Sequence, residues 1–299
     1  MGTPSRAIRV RQWQHHDERL LGRPGGDSPW RLAVVDLGAE VSARSLAVAI
    51  ADALPAGIAR RMHSQSPFAR LLRPVINGIM PSGTTEVTVR SGLARGLHIW
   101  IDPGCEKYYW TGTYEPEVQR TLANLLHPGD VVWDVGAHAG FLTALASRLV
   151  GSDGDVVAFE PLPANIDRLE RLVRANRLSN VRIRPVALAE RAGRARFHVA
   201  SSTSMGSLAP IVATADIQVS TSSLDAELET LRRPALVKID VEGAEAAVLA
   251  GATRLLSEVR PRLLIELLSR EALDRAAGLL PSYELTPLDS HNYIGRPSR

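Results

Sequence analysis

The stretch VVWDVGAHAGF, residues 131–141, sets an acidic residue, Asp134, near the end of an apolar run, with Gly136 and Gly140 behind it. An apolar strand that enters a glycine turn and continues into a helical pattern is how a nucleotide-binding loop reads. A dinucleotide loop requires G-x-G-x-x-G. With its middle glycine on Gly136, the other two would fall where the chain has Asp134 and Ala139. The spacing present is Asp134-x-Gly136-x-x-x-Gly140. A carboxylate there repels a pyrophosphate but pairs well with a cation. It suits a nucleoside that carries an ammonium group and no phosphate. S-adenosylmethionine, which also carries a sulfonium, is such a ligand. An ordinary tight turn is the competing reading.

The next strand, VVAFE (156–160), ends in Glu160, followed by Pro161. An acidic residue at this place in a doubly wound sheet accepts hydrogen bonds from ribose hydroxyls, about twenty residues beyond the glycine turn. Capping of the following helix is the alternative role. Further on, KIDVEG puts Lys238 and Asp240 on one side of a strand, with Glu242 just past its end.

These residues need elements to hold them. From residue 129 strands and helices alternate: strands at 131–136, 156–160, 181–188, 235–241 and 262–268, and helices at 141–150, 164–177 and 244–258. Near-continuous apolar strands between amphipathic helices predict a mostly parallel, doubly wound, Rossmann-like α/β sheet covered on both faces. YELTPL and NYIG suit antiparallel edge strands. The segment 194–228 breaks the alternation, with ARFHV and IQVS as short strands around a Ser/Gly-rich loop. Upstream, residues 85–102 alternate as a β-hairpin and 113–126 have helical spacing, with Pro116 in the first turn. Residues 31–38 read as a strand, 45–54 as a helix and 56–81 as partly helical. The expected organisation is a flexible tail (1–29), an N-terminal extension with no functional signal (30–82), and a catalytic domain (83–299) with a leading hairpin and a cap segment.

The 299 residues carry a formal net charge of +3. Nearly all the positive charge is Arg, since Lys occurs only at Lys107 and Lys238. Arg is interleaved with acids, as in RLERLVRANR (168–177), which reads as solvated helix surface rather than a nucleic-acid stripe. No apolar run is long enough to span a bilayer, and no signal-peptide core is visible, so a cytoplasmic protein is expected. Cys105, the single cysteine, excludes an intrachain disulfide and a Cys-rich zinc site, and is expected to be partly buried. Of 14 aromatic residues, Tyr108, Tyr109, Trp110 and Tyr114 fall together. They suit either hydrophobic packing or flat walls for a sugar or polyketide-like acceptor.

The stretches YYWTGTYEPE, HPGDVVWDVGAHAGFLTALAS, GDVVAFEPLPANIDRL, STSSLDAEL, LVKIDVEGAEAAVLAGA and RPRLLIEL resemble the FkbM-like S-adenosylmethionine-dependent methyltransferases over roughly residues 95–270. The resemblance implies a class I methyltransferase fold and O-methylation of a small hydroxylated molecule, such as a sugar or a secondary metabolite. It places Asp134, Gly136 and Gly140 at the methionine end of the cofactor and Glu160 on the ribose. Residues from Ala187 through Ala189 to Glu190 would flank the adenine. Asp240 would face the transferred methyl group. The acceptor proton then needs a base: Asp240 is favoured, with Glu242 and His138 as rivals. Asp240 and Glu242 could instead only organise the turn into helix 244–258. No metal is assigned, although Asp240, Glu242 and Glu266 would bind Mg²⁺ if they converged. An RNA or protein methyltransferase and a non-catalytic interaction module are the other readings. Nucleic acid and membrane partners are not expected.

Overall fold

The computed structural model describes residues 84–298, apart from 104, 201–205, 208 and 210–212. The expected tail, the extension and the elements read at 31–81 lie outside the described residues. Among the described residues no helix is long and apolar enough to cross a membrane.

The hairpin is β1 (Thr85–Thr88) and β2 (His98–Ile101), antiparallel with Thr85 opposite Ile101. A short helix not expected from the sequence, α1 (Lys107–Thr111), follows, then α2 (Pro116–Leu125). The wound part runs β3 (Val131–Val135), α3 (Phe141–Val150), β4 (Asp155–Phe159), α4 (Pro163–Ala175) and β5 (Val181–Arg184). The cap comprises β6 (Ala187–Leu188), β7 (Gly193–Ala200), β8 (Gly206–Ser207) and β9 (Ala213–Ser222). Then come α5 (Leu224–Glu227), β10 (Leu236–Ile239), α6 (Glu245–Ala250), a π-turn at Leu255–Val259 and β11 (Arg262–Glu266). The chain closes with α7 (Arg270–Leu279), β12 (Tyr283–Pro287) and β13 (Asn292–Pro297).

One seven-stranded sheet, ordered β5-β4-β3-β10-β11-β13-β12, forms the centre. Its first five strands are parallel, and β13 enters antiparallel between β11 and β12. Side chains alternate along each strand, so one register row, Val157, Trp133, Val237 and Leu263, is buried against α6 and α7. The next row carries Asp134 beside Lys238 on the opposite face. There the core is built by α2, α3, α4 and the hairpin, through Val87, Ile99, Leu122, Leu145 and Leu172.

Two elements differ from the sequence reading. The run 181–188 is two strands: Pro185, which has no amide to donate, separates β5 in the main sheet from β6, which pairs with β9 in the cap. Helix 244–258 breaks at Gly251, where a Cβ would lie 2.3 Å from the Ala189 carbonyl oxygen. The chain restarts under Asp225, whose carboxylate accepts from the amides of Arg254 and Leu255, each at 2.9 Å.

Gly140 precedes α3 with φ 87°, and a Cβ on it would lie 2.4 Å from Leu169 Cδ1 of α4. Left-handed backbone and overpacking act together here. Gly140→Ala is expected to cost about 1–3 kcal/mol in urea unfolding. An unchanged midpoint would mean that α3 and α4 do not meet this closely.

Candidate active site

A cleft of about 300 Å³ opens at the carboxyl ends of β3, β4 and β10, where doubly wound sheets hold ligands. Gly136 turns the chain out of β3 with φ 81°. A Cβ there would lie 1.8 Å from the carbonyl oxygen of Asp240, so only glycine lets the two strand ends approach.

Lys238 ties these ends together. Its Nζ donates to the Gly136 carbonyl at 2.8 Å and lies 3.2 Å from Asp240 Oδ2 and 3.3 Å from Asp134 Oδ1. Burial opposes its charge, but Asp240 and Asp134 overcome this and hold its pKa well above the ordinary lysine value. Asp134 also accepts from Thr143 Oγ1 at 2.5 Å. Burial alone would raise the Asp240 carboxyl, but Lys238 and a hydrogen bond with Glu266 hold it below the usual range. Glu266 answers in the opposite sense, pushed up to about 9 by burial and the Asp240 charge. Glu115, ahead of α2, is pushed up to about 7 by burial and Asp240.

Glu160 is buried at the end of β4. Its Oε2 accepts from the His138 amide at 2.8 Å, and its Oε1 from the Leu162 amide at 2.9 Å and from Asn165 Nδ2 at 3.4 Å. Glu160 thus braces the chain entering α4 and also lines the cleft. His138 has φ 52° and is half-buried rather than fully exposed in its loop. Its Nδ1 lies 3.0 Å from the Tyr109 hydroxyl, and its Nε2 faces Glu106 Oε1 at 3.5 Å without a hydrogen bond. Burial and Arg168 lower its pKa to about 4, so the ring is neutral at physiological pH. Glu106 is gripped by the Arg168 guanidinium, which also donates to the Trp100 carbonyl at 2.9 Å. Arg168, read from sequence as helix surface, is therefore buried. No sequence signal marked it, because its partner lies 62 residues away.

The structure brings Gly136, His138, Glu160, Asp240 and Glu242 to one cleft, together with Lys238 and Glu106. Other sequence candidates stand back from it. Asp134 meets Lys238 and Thr143 rather than the cleft, so the cation it pairs with is the protein's own. Gly140 serves the contact between α3 and α4. Ala189 and Glu190 fall beyond the wall, because the break at Pro185 shifts it to Val186, Ala187 and Leu188. Glu190 pairs with Arg191 at the surface. Tyr109 and Tyr114 stack with Phe141, whereas Tyr108 is exposed. Cys105 is exposed at the cleft rather than partly buried. Asp240 meets Glu266, but among the described residues no three acidic, His or Cys side chains are grouped to hold a metal ion.

A doubly wound sheet with an antiparallel strand slotted between its last two positions, and a glycine turn followed by a strand-end carboxylate, define the class I methyltransferase fold. Residues 134–282 match the family model of the methyltransferase FkbM domain, and this part of the chain belongs to that family. Hexuronic acid methyltransferase AglP of Haloferax volcanii is 32% identical over 157 residues, 48% of this chain. The match spans 59% of that relative's length. Among solved structures, methyltransferase FkbM from Methylobacillus flagellatus KT aligns at 19% identity and TM-score 0.41, over 61% of this chain and 50% of its own. Aeropyrum pernix fibrillarin, solved with natively bound S-adenosyl-L-methionine, aligns at 14% identity and TM-score 0.41, over 73% of this chain and 100% of its own.

Glu266 carries a pH signature. A carboxyl whose pKa is raised on folding holds its proton in the folded chain between its ordinary value, 4.5, and about 9. Stability therefore falls as pH rises through that window. Glu266→Gln can still donate to Asp240 and has no proton to lose. Its stability, measured by urea unfolding, should match the wild type near pH 5 and exceed it increasingly toward pH 9. Parallel curves would rule out the shared proton.

Proposed function

We propose that this chain transfers the methyl group of S-adenosylmethionine to a hydroxyl oxygen of a small molecule, in the carbohydrate class. The observation that carries this reading is the placement of carboxylates at two levels of one cleft. Glu160 lies at the end of β4, where a ribose is held, and Asp240 with Glu242 lie beyond β10, where positive charge would be received. The glycine cradle at Gly136 fits a ligand pressed against backbone. The printed substrate of the Haloferax relative, a hexuronic acid, supports a sugar-like acceptor. The acidic groups around Asp240 do not suit a phosphodiester backbone.

The bound cofactor would supply an activated methyl group on a sulfonium. Glu160 would accept from the ribose hydroxyls with the lone pairs its backbone contacts leave. Val186, Ala187, Leu188 and Phe197 would form the apolar wall for the base, and Tyr109, Tyr114 and Phe141 would keep water from the reacting centre. Asp240, held by Lys238 and Glu266, would orient charge rather than move a proton. The acceptor proton would go to Glu242. Among the described residues its carboxyl has no hydrogen-bond or ion-pair partner, and burial together with the charges of Asp240 and Glu245 raises its pKa. Its backbone is held at φ 55°, a conformation uncommon for a non-glycine residue. This choice departs from the sequence reading, which favoured Asp240. His138 is engaged at Nδ1 by the Tyr109 hydroxyl.

Calorimetry with S-adenosylmethionine, followed by a screen of hydroxylated acceptors with labelled methyl donor, tests the reading. Glu160→Ala should weaken cofactor binding by about 1.5–3 kcal/mol, as for a lost hydrogen bond to a charged group. Glu242→Gln should lower kcat by about 10²–10⁴-fold with cofactor affinity nearly unchanged. Full activity in Glu242→Gln would remove Glu242 as the base. Absence of cofactor binding by the wild type would sink the reading as a whole.

A further inference from the structure

The cleft has an uneven supply of charge. Among the described residues that line it, Lys238 is the one Lys or Arg side chain, and its ammonium is already engaged by Gly136, Asp240 and Asp134. Arg168 stands behind the wall, bound to Glu106 and the Trp100 carbonyl. In sequence, residues 200–215 contain neither Lys nor Arg.

Carboxyl groups, by contrast, outnumber the cations. Glu242 lines the cleft, half-buried and without a partner among the described residues. Glu115 and Glu266 lie within electrostatic reach of Asp240. Glu106, whose side chain is only 7% exposed, lines the same cleft with Oε1 lacking a hydrogen-bond partner. Burial and the charge of Asp240 hold Glu115, Glu242 and Glu266 above the usual carboxylate range, as expected where one lysine is outnumbered by carboxyl groups.

We propose that the acceptor carries a protonated amine near the hydroxyl that is methylated, and no carboxylate, with Glu242 as the partner of the amine. The class is the amino sugar or amino alcohol rather than the uronic acid. A carboxylate would enter a low-dielectric cleft opposite Glu242 with no free cation among the described lining residues. An ammonium would be stabilised by the same groups. The inference rests on reading this cleft as the methyl-transfer site.

Glucosamine, glucose and glucuronate place a cation, no charge and an anion on one ring. Each is titrated calorimetrically into the protein saturated with S-adenosylhomocysteine, which separates binding from turnover. Glucosamine should bind about tenfold tighter than glucose, and glucuronate most weakly. Glu242→Gln should bring glucosamine and glucose within about twofold of each other while S-adenosylhomocysteine affinity stays the same, and Glu242→Asp should retain the preference. Undetectable binding of glucosamine, equal binding of glucuronate, or a preference that survives Glu242→Gln overturns the inference and leaves the methyltransferase reading standing. If the wild type binds no S-adenosylhomocysteine, both fall together.

Discussion

The ammonium of Lys238 is withdrawn from water between two neighbouring parallel strands, with Asp134 beside it on β3 and Asp240 beyond it on its own strand. Moving such ions into a protein interior costs several kcal/mol each, so the three groups are tolerable there only as a set. Asp134 and Lys238 are register partners, and Asp240 follows Lys238 on the same face of the strand end. The third contact of the ammonium is the carbonyl of Gly136, in the turn that shapes the cleft floor. Slippage of β10 by one residue would turn Lys238 to the other face and leave Asp134 buried without a counter-charge. Strand register and site geometry are thus one constraint.

Much of the described fold can be read from hydrophobic spacing, because parallel strands buried on both faces leave a strong apolar signature. The strands holding Trp133, Val157, Val237 and Leu263 lie where that signature put them. The departures have local causes that a pattern of apolar residues does not contain. Pro185 ends a ladder inside an apolar run, and Gly251 stops a helix because another backbone lies against it. Within the site, Gly136 and Glu160 were legible from their places after two strands. The partnership of Lys238 with Asp134 required the register between β3 and β10, and the burial of Arg168 required knowing that Glu106 comes from elsewhere. A charged residue looks the same in sequence whether it meets water or a distant carboxylate.

The leading segment is part of the site rather than an ornament on it. Glu106, Tyr109 and Tyr114 precede the first wound strand, yet they face His138, Arg168 and Phe141. Arg168 joins Glu106 to the Trp100 carbonyl, and the side-chain amide of Asn176, after α4, accepts from the His98 amide at 2.8 Å and donates to the His98 carbonyl at 2.7 Å. His138, through its amide on Glu160 and its ring beside Glu106, belongs to both halves of this belt.

The unit recognised by kinship and the unit that folds therefore have different edges. The family match begins at Asp134, in the middle of β3, whereas the apolar faces of α3 and α4 are closed by the hairpin and α2, which come earlier in the chain. A polypeptide cut at the start of the match would sever the central strand and bare Leu142, Leu145 and Leu172 to solvent. The stretch bounded by the family match does not stand alone, because the cleft it lines is walled in part by Glu106, Tyr109 and Tyr114, which precede it.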